Sequence, residues 1–150
     1  DSTLFPYTTL FRSLGINRVQ EFLNKIEYGN QTTSSNLDLY WSDFSLKISP
    51  LEQVTLLKKF NTNEFHLNFQ NVFSVKNAIK IASTPNGNFY GKTGTGRVNG
   101  QDINGWFIGY VETSDNSYYF ATNIQSDSNA TGKKAFEITS DILKKLHIWN

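Results

Sequence analysis

The sequence predicts an α+β domain: helices come first, then an antiparallel meander, then a terminal helix packed on the sheet. Three observations carry this reading. Apolar residues recur at helical spacing through the first half of the chain. After the turn signal Pro85-Asn86-Gly87-Asn88 the period changes to that of strands. Helical spacing then returns from about Lys133 to Leu146.

The elements follow in order. From Ile16 to Glu27, Val19, Phe22, Leu23 and Ile26 form one face, with Arg18, Glu21 and Lys25 on the other. Tyr28-Gly29-Asn30 ends this helix, with Gly29 expected as its left-handed terminal residue. Gln31 to Asn36 is a polar loop. Ser49-Pro50-Leu51-Glu52 is a helix start, in which Ser49 caps, Pro50 takes the first helical position and Glu52 closes a capping box. Leu51, Val54, Leu57 and Phe60 are then expected to face the core. A further helix is expected from about Val72 to Ile81. Phe89 to Gly96, Gly105 to Glu112 and Ser117 to Asn123 read as three strands, the last two joined through Thr113-Ser114-Asp115-Asn116.

A chain of 150 residues suits one domain with a core. A net charge of +1 gives no field for nucleic acid or an anionic membrane. The absence of cysteine excludes disulfides, thiolate zinc sites and thiol nucleophiles, and no metal or cofactor is expected. No apolar run approaches the roughly 18 residues a membrane span needs. Leu4-Phe5 and Leu10-Phe11 are broken by Pro6 and polar residues, so the start of the chain does not read as a signal peptide. Thr3 to Ser13 read TLFPYTTLFRS, the in-frame translation of a common sequencing-library adapter. Asp1 to Ser13 is therefore expected to be an assembly artefact, and Leu14 an internal residue of the domain, which occupies 14–150.

The chemistry concentrates in Gly91-Lys92-Thr93-Gly94-Thr95-Gly96. On a strand, Lys92 supplies a fixed positive charge, the Thr93 hydroxyl can bond a carboxylate, and Gly94 lets a ligand approach the backbone. The Thr95 N–H can serve as one donor of an oxyanion hole. By itself the tripeptide is a weak signal, and a plain edge strand with a glycine-rich turn accounts for it better.

Its context resembles a known family. Asn104-Gly105-Trp106-Phe107-Ile108-Gly109-Tyr110-Val111-Glu112, Tyr28-Gly29-Asn30, Tyr40-Trp41 and Ser45-Leu46-Lys47-Ile48-Ser49-Pro50 stand in the order and rough spacing of the class D β-lactamases (oxacillinases). They also resemble the extracellular penicillin-binding domains of β-lactam-sensing receptors. The resemblance spans Leu14 to Trp149 and implies the C-terminal half of a β-lactamase/transpeptidase-like fold. It implies a serine that attacks the β-lactam carbonyl to form an acyl-enzyme, and an N-carboxylated lysine as general base. Neither is present, because no Ser-x-x-Lys precedes Lys92. The family's Ser-x-Val or Ser-x-Asn, expected shortly before Leu14, is missing too, so the chain as it stands is expected not to acylate. Carried over residue by residue, Lys92, Thr93 and Gly94 match the carboxylate-recognition strand. Thr95 matches the second oxyanion donor, Trp41 the indole near the modified lysine, and Tyr28, Gly29 and Asn30 a structural motif. Core burial accounts for Trp41 as well as a site role does, and Trp106 reads as core. His66 and His147 match no motif, and Lys133 and Lys134 begin a solvated helix face.

The resemblance implies β-lactam antibiotics as ligand and no nucleic acid, with membrane attachment only through segments outside this sequence. A sensor domain on the extracellular face is the main expectation; a secreted class D hydrolase is the alternative. Gly105 to Thr113 with Asp115-Asn116 resembles the sensors. Ser42 follows Trp41 where many hydrolases carry Leu, and Ala135 falls where many place a carboxylate-binding Arg. A cell-wall transpeptidase shares the Lys-Thr-Gly strand, but the Tyr-Gly-Asn and Tyr-Trp blocks argue against it.

Overall fold

The computed structural model describes residues 13–33 and 45–150. The element order is α1 (Ile16–Lys25), α2 (Pro50–Asn61), α3 (Phe69–Ala78), β1 (Lys80–Thr84), β2 (Gly87–Val98), β3 (Gln101–Thr113), β4 (Ser117–Gln125) and α4 (Gly132–Lys145). The four strands form one antiparallel sheet in the order β1-β2-β3-β4. The architecture is α+β, as expected. The chain forms two compact units, Asp1–Glu52 and Gln53–Asn150.

In the first unit, α1 buries Val19 and Leu23, while Phe22 is largely exposed. The helix closes in a Schellman motif: Glu27 N–H donates to Asn24 O and Tyr28 N–H to Leu23 O. The left-handed residue of that motif is Glu27, with φ 54°, and not Gly29 as expected. Gly29 is left-handed for a different reason, set out with the site below. The capping box forms as expected. Ser49 N–H donates to a Glu52 carboxylate oxygen at 2.8 Å, and Glu52 N–H donates to Ser49 Oγ at 3.2 Å.

The body of α2 turns Leu57 and Gln53 inward. Leu51, expected in the core stripe, is 77% exposed. Proline at the first helical position fixes the register of this helix, and that register puts Leu51 on the outer side. α3 starts at Phe69, earlier than the expected Val72, because Asn68 Oδ1 caps it by accepting from Gln70 N and Asn71 N. It ends at Ala78, and the residues expected to finish it open β1, a fourth strand. β1 is mostly exposed on both faces, so it carries no alternation to betray it. Gly91 N–H continues its pairing by donating to Ile79 O at 2.8 Å.

β2 and β3 run past their expected ends and meet in the two-residue turn Asn99-Gly100, where φ is 48° and 78°. Two positive φ values suit the twist of a tight hairpin, and Asn-Gly supplies them at little cost. Arg97 and Asp102 pair across its base at 2.7 Å.

The core lies between the sheet and α4. Phe89, Phe107, Val111, Ala135 and Leu143 form its buried cluster, ringed by Phe120, Phe136 and Trp149. Phe107 stands edge-on to Phe136 at 5.0 Å and tilts against Phe120 at 5.0 Å. Burying one such ring contributes about 1.5–3 kcal/mol, and each edge contact adds about 0.5–1.5 kcal/mol. Alternation along β3 sends Phe107, Gly109 and Val111 to this face and Trp106, Ile108, Tyr110 and Glu112 to the other. Trp106, expected in the core, is only half-buried and lies on the face away from α4.

Candidate functional site

The Lys-Thr-Gly segment lies in the C-terminal half of β2. β1 pairs with β2 only as far as Tyr90 and Gly91. From Lys92 onward β2 has β3 on one side and, among the described residues, no strand on the other. Lys92, Thr93, Gly94 and Thr95 are all exposed.

Backbone direction follows from register. Gly91 N–H points toward β1, so the N–H and C=O groups of Thr93 and Thr95 point to the same, open edge. The Lys92 ammonium reaches round to that edge and donates to Thr93 O at 2.6 Å. A fixed positive charge therefore sits beside a backbone edge whose next outward donor is the Thr95 N–H.

The side chains divide between the faces. Thr93 and Thr95 are on the α4 face; Lys92 and Gly94 are on the other, in register with Ile108 and Trp106. Gly132, the first residue of α4, lies against this strand. A Cβ at Gly132 would come within 2.6 Å of Gly94 O and 2.9 Å of Thr93 Cβ, so only glycine lets the helix start so close. Its N–H donates to Thr95 Oγ1 at 2.9 Å, and the capping Thr131 hydroxyl accepts from Lys134 N. The positive end of α4 thus stands beside Thr93, with Lys133 and Lys134 exposed in its first turn. The sequence reading missed Gly132. A glycine opening a helix after Ala130-Thr131 was its only signal.

Gly94 behaves differently from Gly87, Gly91, Gly105 and Gly109. A Cβ there would meet nothing nearer than Trp106 Cβ at 3.9 Å. The fold leaves room for a side chain at this position and does not use it.

Tyr28, Gly29 and Asn30 form a backbone clasp in the first unit. Asn30 N–H donates to Lys47 O at 2.9 Å, Asn30 Oδ1 accepts from Lys47 N at 2.9 Å, and Asn30 Nδ2 donates to Ser45 O at 2.8 Å. Gly29, at φ 50°, lies so close to the Lys47 carbonyl that a Cβ could not fit. The motif's geometry is that of a structural splice between two segments. Trp41, Tyr40 and Ser42 lie outside the described residues, as does nearly all of the adapter-like stretch.

Ala135 is fully buried in the core cluster, so this position presents no side chain to Thr93. His66 and His147 are exposed and left-handed, and His147 closes the Schellman motif of α4. No helix among the described residues is long and apolar enough to cross a membrane.

An antiparallel sheet with a closing helix behind an exposed Lys-Thr-Gly edge strand is the arrangement of a penicillin-recognising domain, and comparison with known sequences agrees. The chain belongs to the penicillin binding protein transpeptidase domain family, whose model matches residues 1–144. It is 43% identical over 142 residues to the methicillin resistance mecR1 protein of Staphylococcus aureus, covering 95% of this chain and 24% of that protein. The C-terminal domain of the Bacillus licheniformis BlaR penicillin-receptor superposes with a TM-score of 0.93 at 44% identity, over 99% of this chain and 60% of that one. A class D β-lactamase from Bacillus subtilis superposes with a TM-score of 0.90 at 36% identity, over 99% and 60%. The chain thus spans about a quarter of the length of the curated receptor and 60% of the solved domains.

Proposed function

We propose that this chain forms the strand wall of a β-lactam-binding site in a sensor domain of the penicillin-receptor type, held on the extracellular face of a membrane by segments outside this sequence. The observation that carries the reading is the Lys92–Thr95 edge, exposed and, among the described residues, without a strand on its outer side, beside a glycine, Gly94, that the fold itself does not demand. In this reading Lys92 and the start of α4 attract the ligand carboxylate, and the Thr93 hydroxyl bonds it. The edge N–H of Thr95 stabilises the oxyanion that forms when the β-lactam carbonyl is attacked. Gly94 keeps the approach to the backbone clear. The attacking serine and its lysine base come from outside these 150 residues, since no Ser-x-x-Lys precedes Lys92.

The sensor reading is favoured by the higher identity to receptors, 43–44%, than to the Bacillus subtilis class D β-lactamase, 36%. The hydrolase reading keeps one specific support, the TM-score of 0.90 to that enzyme. The two differ only in whether the acyl adduct is hydrolysed. The deciding experiment joins Leu14–Asn150 to its genomic upstream sequence and follows nitrocefin with the intact domain. A single stoichiometric burst, with a stable adduct by mass spectrometry, is expected of a sensor. Many turnovers per molecule would establish the hydrolase instead.

A further inference from the structure

The face of the sheet away from α4 carries a row of tyrosines. Tyr90, Tyr110 and Tyr119 are register partners on β2, β3 and β4. Tyr110 stacks on Tyr90 at 4.7 Å and lies against Tyr119 at 5.7 Å, so it is the middle rung. The Tyr119 hydroxyl belongs to a polar cluster. Asn61, at the end of α2, donates from Nδ2 to Tyr119 Oη at 2.9 Å and to Glu112 Oε1 at 3.1 Å. Glu112 in turn pairs with Lys76 of α3 at 3.7 Å, and its charge acts on the Tyr90 hydroxyl.

The middle rung is the exception. Tyr110 is 0% exposed, and its hydroxyl has no hydrogen-bond partner among the described residues. Asn61 Oδ1 is also buried without one. Rotating the Asn61 amide does not relieve this, because it would aim Oδ1 at the Glu112 carboxylate, which only accepts. Among the described residues one buried donor and one buried acceptor therefore stand unpaired, the Tyr110 O–H in the stack between Tyr90 and Tyr119 and Asn61 Oδ1 on the amide that bonds Tyr119, each costing the free energy of a lost hydrogen bond.

We propose that a single structural water bridges Tyr110 and Asn61, accepting from the Tyr110 O–H and donating to Asn61 Oδ1, and so ties α2 to the centre of the sheet. Water is the smallest species that accepts and donates at once. A cation could not accept from the phenol, and it would be repelled by Lys76. The third orphan, Gln53 Oε1, lies eight residues earlier on α2, about 12 Å along the axis, which is beyond the reach of the same water. The bridge sits two residues before Lys92 in the Tyr90 row, so it supports the strand that carries Lys92 and Thr93 without touching a ligand.

The test uses the full chain and Tyr110→Phe, which keeps the ring and removes only the hydroxyl. A bridged hydroxyl predicts a melting temperature lower by roughly 3–8 °C. It also predicts that a crystal structure of the unsubstituted chain shows an ordered water within 3.5 Å of both Tyr110 Oη and Asn61 Oδ1. An unchanged or higher melting temperature would overturn the proposal, because deleting a truly unpaired buried hydroxyl relieves a desolvation cost. A dry Tyr110 hydroxyl in the crystal structure would overturn it equally.

Discussion

The amide of Gly132 donates a 2.9 Å hydrogen bond to the hydroxyl of Thr95, and this bond pins the start of α4 to the strand bearing Lys92 and Thr93. Thr95 therefore has two separate jobs: its side chain holds the helix, and its N–H faces the open edge. Thr95→Val removes the acceptor and leaves a part-buried helix N–H unpaired, with an expected cost of about 1–3 kcal/mol in urea denaturation. Thr95→Ser keeps the hydroxyl and should recover most of that loss. Equal destabilisation by both variants would show that the methyl group matters and the bond does not.

Gly94 and Gly132 adjoin one another but should respond in opposite ways. A Cβ at 94 meets only Trp106 Cβ at 3.9 Å, whereas a Cβ at 132 meets Gly94 O at 2.6 Å. Gly94→Ala is expected to leave stability unchanged or raise it by about 0.5 kcal/mol, since a strand glycine carries an entropic penalty. Gly132→Val forces the helix off the strand and should cost about 1–3 kcal/mol. In the intact domain, Gly94→Ala should nevertheless slow β-lactam acylation, read by fluorescent penicillin labelling. Unimpaired labelling would remove the case that Gly94 is there for the ligand.

Glu52 gives the helix start a defined pH dependence. The backbone hydrogen bond from Ser49, and then the one from its hydroxyl, hold the Glu52 carboxyl below the usual glutamate value of 4.5. The unfolded chain therefore takes up this proton first as pH falls. The stabilisation is present above pH 4.5 and is lost as pH drops through the lower, folded value. Glu52→Gln should flatten that part of the acid limb of a stability–pH curve, and helix content by circular dichroism should fall earlier on acidification in the unsubstituted chain. An identical acid limb in Glu52→Gln would show that the box does not form.

How much of this was legible in the sequence depended on how local each signal was. Ser49-Pro50-Leu51-Glu52 announces its helix because every bond of the capping box lies within four residues. Among the strands beside Lys92, β3 alternates buried and half-buried positions from Gly105 to Gly109, around the face that packs on α4. β1 was illegible because Lys80–Thr84 is mostly exposed on both sides and has no period to read. Glu27 displaced Gly29 as the helix stop because the conformation of Gly29 answers to Lys47, many residues away. Gly132 and the tyrosine row were hidden for the same reason: a helix seated against a strand, and a register across three strands, exist only once the sheet is assembled.

The tyrosine row makes its own prediction at alkaline pH. Burial first, then the Glu112 carboxylate and the phenols of Tyr90 and Tyr119, push the Tyr110 hydroxyl well above the ordinary tyrosine range. Tyr90 is raised too, by burial and then by the charge of Glu112 and its hydrogen bond. Both groups keep their protons in the folded chain at a pH where the unfolded chain has begun to lose them, near the ordinary value of 10.0. Folding is then opposed as pH rises: stability should be level up to about pH 10 and fall beyond it, because ionisation pulls the chain toward the unfolded state. Phenolate absorbance of the native chain should accordingly rise later than that of the same chain in urea. Tyr110→Phe should narrow the gap, since it removes a phenol that resists ionisation. If the native and urea-unfolded titrations coincide, the row is open to solvent and its middle rung is not buried.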